Sequence, residues 1–467
     1  MLPALRFSFG NRHVCPKGAK SMELNNHPTV TRYHESKASA TLNSTPLKLS
    51  ARELRTMCLE AGVDDVGFVE ITRPTLADQK AAILKVFPWT RTLVSFAGRI
   101  NRENLRSPAR SIASLELHQA EERLIHAAHT LATALERKGV RASTPAPGFP
   151  MEADQWGSGT MNVVSHKPIA IEAGLGKMGL HRNVIHPVFG SFVLLNTVLI
   201  DVELDEYDTP LDYNPCLDCK LCAAACPTGA IGPDGYFHPV NCLTHTYREL
   251  IGGFTDWVEN IADSKSSIDY RTRTSDAETV SMWQSLAFGP CYKSVYCMAV
   301  CPAGEEVIPQ YLEDRKAFIE DVVKPLQQKA ETVYVLPGSD AESHVLRTFP
   351  HKRVKRVGNG IRPPSVAFFL ASMPIAFQRH QSEGLNATYH FTFSGSEEAE
   401  ATVVIKDKSI RIEMGHAGIP DVRVHADAKA WLRVLHKETS MIKQIVLRRI
   451  RVKGPLTLFK AFGKCFA

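Results

Sequence analysis

No run in this chain is long and apolar enough to span a bilayer, so no transmembrane segment is expected. The opening residues, MLPALRFSFGNRHVCPKGAK, carry basic side chains but no apolar h-region and no twin-arginine pair. Both usual secretory signals are thereby excluded, and the chain reads as cytoplasmic. Charge of one sign is in small excess, a net +6 over 467 residues, too mild to select a partner class. A flavin or nicotinamide fingerprint, with its strand, glycine loop and downstream acid, is missing. Internal repeats are missing as well, apart from one duplicated cysteine pattern.

What is present is a soluble-protein composition, 44% apolar and 22% charged, sufficient for real cores. The length implies two or three domains. Residues 1–46 are polar and lack periodicity, so a flexible tail is expected there, with Met22 an alternative start. Residues 47–202 form the first domain. LSARELRTMCLEAG predicts an amphipathic helix capped by Ser50, with Leu54, Met57, Cys58 and Ala61 on one face. VDDVGFVEI predicts a short strand, and HQAEERLIHAAHTLATALERKG a helix ending at Gly139. SFVLLNTVLIDVEL predicts a buried strand. Residues 304–364 read as a helical and basic connector, in which HKRVKR is a solvated charge run. Residues 365–467 mix apolar-alternating strands with flanking helices, an α+β unit. The fold class is therefore α/β and α+β multidomain.

The eleven cysteines are unevenly spread. Cys15, Cys58 and Cys465 are isolated, while eight fall between Cys216 and Cys301, within a segment 203–303. In a cytoplasmic chain such crowding argues for metal ligation rather than disulfides. Eight thiolates match two [4Fe–4S] clusters. In NPCLDCKLCAAACPTGAI, Cys216, Cys219 and Cys222 are spaced to wrap three irons of one cubane, and Cys226, followed by Pro227, turns to the other cluster. Structural zinc sites do not use this four-cysteine-plus-proline spacing. The second pattern is irregular: Cys242, then Cys291, Cys297 and Cys301 before Pro302. A serine, Ser294, stands where the spacing calls for cysteine. The ligand sets expected are Cys216, Cys219, Cys222 and Cys301 for the first cluster, and Cys226, Cys242, Cys291 and Cys297 for the second.

The run SHKPIAIEAGLGKMGLHRNVIHPVFGSFVLLNTVLID, followed by CxxCxxCxxxCP, resembles the epoxyqueuosine reductase and reductive dehalogenase superfamily. The resemblance implies a nitroreductase-like domain holding a corrinoid such as cobalamin, beneath a two-cluster ferredoxin-like domain. Gly174, Gly176 and Gly179 would let backbone approach a large flat ligand. Lys177, His181 and Arg182 would pair with its phosphate or propionamide groups. A tight structural turn is the alternative for GLGxxG alone. The acidic proton donor of epoxyqueuosine reductases has no counterpart in SGTMNVVSHKP: Glu152 and Asp154 lie upstream and His166 lies nearer. His166 is thus the candidate proton donor, against the plainer reading of a satisfied structural histidine. Queuosine chemistry, and a nucleic-acid partner with it, is not expected.

GLNATYHFTFSG, ATVVIKDKSIRIEMG, PDVRVHADAKAWLRVLHKETS and RIRVKGPLTLFKAF resemble a sterol carrier protein 2 (SCP2-type) domain, which implies an apolar ligand site. Together the two resemblances imply an iron–sulfur oxidoreductase, corrinoid-dependent, acting on a hydrophobic small molecule or lipid. A low-potential donor such as ferredoxin or flavodoxin would feed it. The alternative is a corrinoid-free electron-transfer protein with a lipid-binding module, serving a partner enzyme.

Overall fold

The computed structural model describes residues 24–40, 49–151, 162–358 and 362–466. Cys15, Met22, Glu152 and Asp154 lie outside the described residues. The chain divides into two units, 1–48 and 49–467. In the first, Leu24–Asn26 is a 3-10 turn and Pro28–Ala40 a helix. The expected tail is corrected for those residues. The helix has Pro28 at its first position and no apolar stripe to announce it.

In the second unit the first domain is built on β1 (Asp65–Glu70), β2 (Thr92–Arg99), β3 (Ala142–Ser143), β4 (Lys177–Met178), β5 (Val184–Ile185) and β6 (Val193–Ile200). Four of them form one antiparallel sheet in the order β1-β2-β6-β3, and β4 and β5 pair as a separate hairpin. The two-residue period of the strands decides what each face buries. Val94, Phe96 and Val198 point to one face, where Leu54 and Cys58 of helix Ala51–Glu60 and Leu124, Leu131 and Leu135 of helix Arg110–Arg137 cover them. Leu93 and Leu199 point to the other, against Ile83 and Ile169. Ser50 caps the first helix by accepting the Glu53 N–H at 3.1 Å, and Gly139, at φ +83°, follows the end of the long one.

Segment 203–303 is mostly loop and short helix. Between Cys242 and Cys291 the chain inserts three helices, Gly252–Ala262, Ser267–Arg273 and Asp276–Phe288, which accounts for the long gap.

The connector is corrected. β7 (Thr332–Val335) and β8 (Arg353–Arg356) pair in parallel across helix Asp340–Thr348. The unit has its own core of Val333, Val335, Ala341, Val345 and Phe349. HKRVKR is solvated only in part: His351, Arg353 and Arg356 are exposed, but other members are not. Lys352 is buried, with Nζ donating to the Leu326 and Lys329 carbonyls and to Glu331. Lys355 and Arg356 pair with Glu278 and Glu342.

The last domain opens with helix Val366–Ala376 and contains β9 (Ala387–Ser394), β10 (Ala399–Lys406), β11 (Ser409–Met414), β12 (Val422–Asp427) and β13 (Ile450–Lys453). The sheet order is β11-β10-β9-β12-β13, with β9 and β12 parallel and every other pair antiparallel. Asp407 and Lys408, both at positive φ, make the tight turn between β10 and β11. Helices Ala428–Leu435 and Leu456–Lys464 cover one face, where Phe391, Phe393, Trp431 and Phe462 interlock. Among the described residues no helix is long and apolar enough to cross a membrane.

Candidate iron–sulfur site

Cys216, Cys219, Cys222 and Cys301 line one cavity, together with Leu180, His181 and Pro302. Wrapping backbone around so small a space requires unusual dihedrals. Asp218 and Lys220, neither of them glycine, lie in the left-handed region at φ +49° and +61°. Asn214 holds the Cys216 N–H at 3.0 Å. Burial, and then the charge of Cys301 and Cys219, pushes the Cys222 thiol up to about 12. Burial likewise pushes the Cys301 thiol up to about 12, aided by Cys219 and Cys216. Thiols this reluctant to ionise become thiolates only against a strong local positive charge, which iron supplies. His181 is buried, and its Nδ1 accepts the Asn183 N–H at 3.1 Å. Burial, and then Lys167, lowers it to about 4, so the ring is neutral with its proton on Nε2. That nitrogen has no partner, leaving a donor in the cavity wall for a cluster sulfide. Four soft ligands and an unused donor fit a [4Fe–4S] cluster.

Cys226, Cys242 and Cys297 meet beside this cavity, packed with Ile231 and Phe237. Burial, and then Cys226, raises Cys242 to about 12. Burial raises Cys297 well above the ordinary thiol range, with Cys242, Cys226 and Cys222 adding to it. Cys222 belongs to the first group, so the two groups are electrostatic neighbours.

Cys291, expected as a ligand here, faces helix Arg110–Arg137 instead. Its Sγ lies 3.3 Å from Ser114 Oγ, and its backbone N–H is held by Glu249 at 2.8 Å. Ser294 takes the inward place. It is buried, its hydroxyl is 3.0 Å from Thr246 Oγ1, and Thr246 in turn bonds the Cys242 thiol. The physical reason is register: Ser294 is three residues before Cys297, the spacing that faces a cluster, and Cys291 is one loop turn away. Counting back from Cys301-Pro302 was the signal for it.

At the glycine turn the structure shows close packing of the chain on itself. A Cβ at Gly176 would press on the Ile185 carbonyl and come within 2.6 Å of Val184 Cγ1; one at Gly179 would lie 2.6 Å from Ile185 Cδ1. Gly174 (φ +74°) abuts the Thr209 carbonyl. These glycines admit the close approach of the chain's own backbone, which accounts for them without a ligand. Lys177 pairs with Ile185 through its backbone in the β4–β5 hairpin, and the Arg182 side chain donates to the Gly235 carbonyl at 2.8 Å. The segment instead delivers His181 to the cysteine cavity.

His166 is the satisfied structural histidine. It is buried, with Nδ1 2.9 Å from Thr197 Oγ1 and Nε2 3.0 Å from the Ala146 carbonyl. Burial lowers its pKa, and neither nitrogen is free to pass a proton.

Against known proteins, residues 377–467 match the SCP-2 sterol transfer family and form an SCP2 domain. The rest of the chain has epoxyqueuosine reductase homologues. One, from Aliivibrio fischeri, is 34% identical over 89 residues, covering 19% of this chain and 24% of the relative. The chain thus spans about a quarter of the length of the curated relatives it matches. Among solved structures, an epoxyqueuosine reductase with an epoxyqueuosine-modified tRNA stem loop aligns with TM-score 0.29 and 16% identity, over 59% of this chain and 78% of that one. A reductive dehalogenase described for B12-dependent dehalogenation aligns with TM-score 0.31 and 18% identity, over 42% and 30%.

Proposed function

We propose that this chain is an iron–sulfur oxidoreductase whose cysteine module passes electrons into the domain of residues 47–202, with the SCP2 domain presenting a hydrophobic or lipid-like substrate. One observation carries the reading: the first group of cysteines shares its cavity with Leu180 and His181, which belong to the first domain. Two [4Fe–4S] clusters, when bound, supply one-electron transfer at low potential. Cys216, Cys219, Cys222 and Cys301 hold the first. Cys226, Cys242 and Cys297 hold the second, with Ser294 at its fourth corner. His181 donates to the first cluster and shields it from water. In the SCP2 domain the indole N–H of buried Trp431 has no partner, a place for the polar end of an apolar ligand. The electron donor is of the ferredoxin or flavodoxin class.

The packing of Gly174, Gly176 and Gly179 against their own chain favours a second reading, corrinoid-free electron transfer to a partner enzyme. Anaerobic cobalamin titration of the cluster-loaded protein separates the two. Corrinoid bands that saturate support the first reading in its corrinoid-dependent form; no binding at tens of micromolar cobalamin, weak by ordinary ligand standards, leaves the second. The expectation of no nucleic-acid partner, a tRNA stem loop included, is itself open to test. The same titration with such a stem loop tests it.

A further inference from the structure

Away from the cysteines, three side chains from distant parts of the sequence converge. His238 precedes helix Pro239–Thr246, Asp340 opens helix Asp340–Thr348, and His380 follows helix Val366–Ala376 in the last domain. Their ligand atoms all lie within 4.8 Å of one another. His238 Nε2 is 3.4 Å from Asp340 Oδ2, and His380 Nδ1 is 3.3 Å from the same oxygen.

The His380 contact is a long hydrogen bond and the His238 contact is longer still, both beyond the usual length of about 2.9 Å. They match the spacing of neighbouring ligands around a tetrahedral ion, about 3.3 Å when the bonds are about 2.0–2.1 Å. Two buried atoms at the centre lack a good partner. His238 Nε2, in a residue only 3% exposed, has nothing but the 3.4 Å approach to Asp340 Oδ2, too poorly aligned for a good hydrogen bond, and Asp340 Oδ1 has no partner. A buried imidazole nitrogen without a good partner is costly and calls for one. Asp340 Oδ2 accepts the His380 backbone N–H at 2.8 Å, and the Asp340 backbone N–H donates to Gln378 Oε1 at 2.9 Å, which holds the residue in place. The His380 side chain is 68% exposed, so an ion can reach the site from solvent.

We propose that His238, Asp340 and His380 bind a divalent transition-metal ion of the zinc class. Two imidazoles and a carboxylate are the donor set that such ions prefer over magnesium or calcium. Three protein ligands leave a fourth position for water. Because the ligands come from the cysteine module, the β7–β8 unit and the SCP2 domain, the ion clips the three together. The site is independent of the electron-transfer reading.

The test uses the full-length, cluster-loaded protein and its His380→Ala variant. An exposed side chain is removed, so the fold and the visible cluster spectrum stay as they are. Both proteins are dialysed anaerobically against the same micromolar free zinc, and zinc is measured by metal analysis. Zinc on stray cysteines cancels in the comparison. The expected result is about one more zinc per wild-type chain, with zinc affinity in the variant at least about tenfold weaker. Zinc should also raise the melting temperature of wild type more than that of the variant. Equal zinc in the two proteins would overturn the proposal.

Discussion

Glu249 and Cys291 are joined by a hydrogen bond from the Cys291 backbone N–H to Glu249 Oε2, 2.8 Å long. The same carboxylate takes the Lys293 ammonium and the hydroxyls of Ser281 and Ser285, and its side chain is 3% exposed. One buried acid therefore sets the loop that leads into the second cysteine group.

Removing it leaves the Lys293 charge uncompensated. Glu249→Ala is expected to cost about 3–5 kcal/mol, read by urea unfolding at neutral pH. Burial alone would raise the Glu249 pKa, but Lys293 and the two serines outweigh it and hold the carboxyl below its ordinary value of 4.5. A lowered carboxylate stabilises fully above its unfolded pKa and loses that contribution as pH falls through the folded one. The stability gap between wild type and Glu249→Gln should thus narrow on acidification below that range. A gap that stays constant down to strongly acidic pH would contradict this role.

The second cluster should report its own fourth ligand. Cys291→Ala is expected to leave both clusters spectroscopically intact, whereas Ser294→Ala shifts the electron paramagnetic resonance of one cluster or converts it to a three-iron form. Loss of a cluster in Cys291→Ala would restore that cysteine as the ligand. No change in either variant would remove Ser294 from the set.

Iron and sulfide should each reach about eight per chain after anaerobic reconstitution. Cys219→Ala is expected to bring both to about four, with the remaining cluster still reducible by dithionite. Zinc in place of iron would mean that the cysteines are not a redox site.

Gly176→Val should destabilise the protein by about 1–3 kcal/mol with no cobalamin present, because the new methyl groups meet Ile185 and Val184. Thermal melting measures it. An unchanged melting temperature combined with lost cobalamin binding would return the turn to a ligand-facing role.

In the SCP2 domain, a fatty-acid or sterol probe should perturb the emission of Trp431, and Trp431→Phe should abolish that signal while retaining the fold. Absence of any response across acyl and sterol probes would leave the aromatic cluster as core packing alone.

The sequence made the first cysteine group legible because Cys216, Cys219 and Cys222 are three residues apart and the distant fourth member, Cys301, is marked by the Pro302 that follows it. Helices with a clear stripe, such as Arg110–Arg137, and strands with two-residue alternation, such as β9 and β10, were legible for the same reason. β8 was not. Its buried neighbour β7 is apolar, but three of its own four residues are basic, and the partners of Lys355 and Arg356, Glu278 and Glu342, lie far away or across a turn. At Gly174, Gly176 and Gly179 a glycine that admits a ligand and one that admits the chain's own carbonyl look identical in one dimension. His238, Asp340 and His380 share no motif at all; only the fold brings them together.

The order β11-β10-β9-β12-β13 leaves two strands with an unpaired side, and both are short and charged. β11 presents Arg411 and Glu413, and β13 presents Arg451 and Lys453. At β13 like charges meeting across a growing sheet oppose the addition of a strand from another molecule, while at β11 the paired Arg411 and Glu413 would have to be desolvated. At high protein concentration this domain should therefore resist edge-to-edge aggregation, and neutralising Arg451 and Lys453 together would expose that hazard.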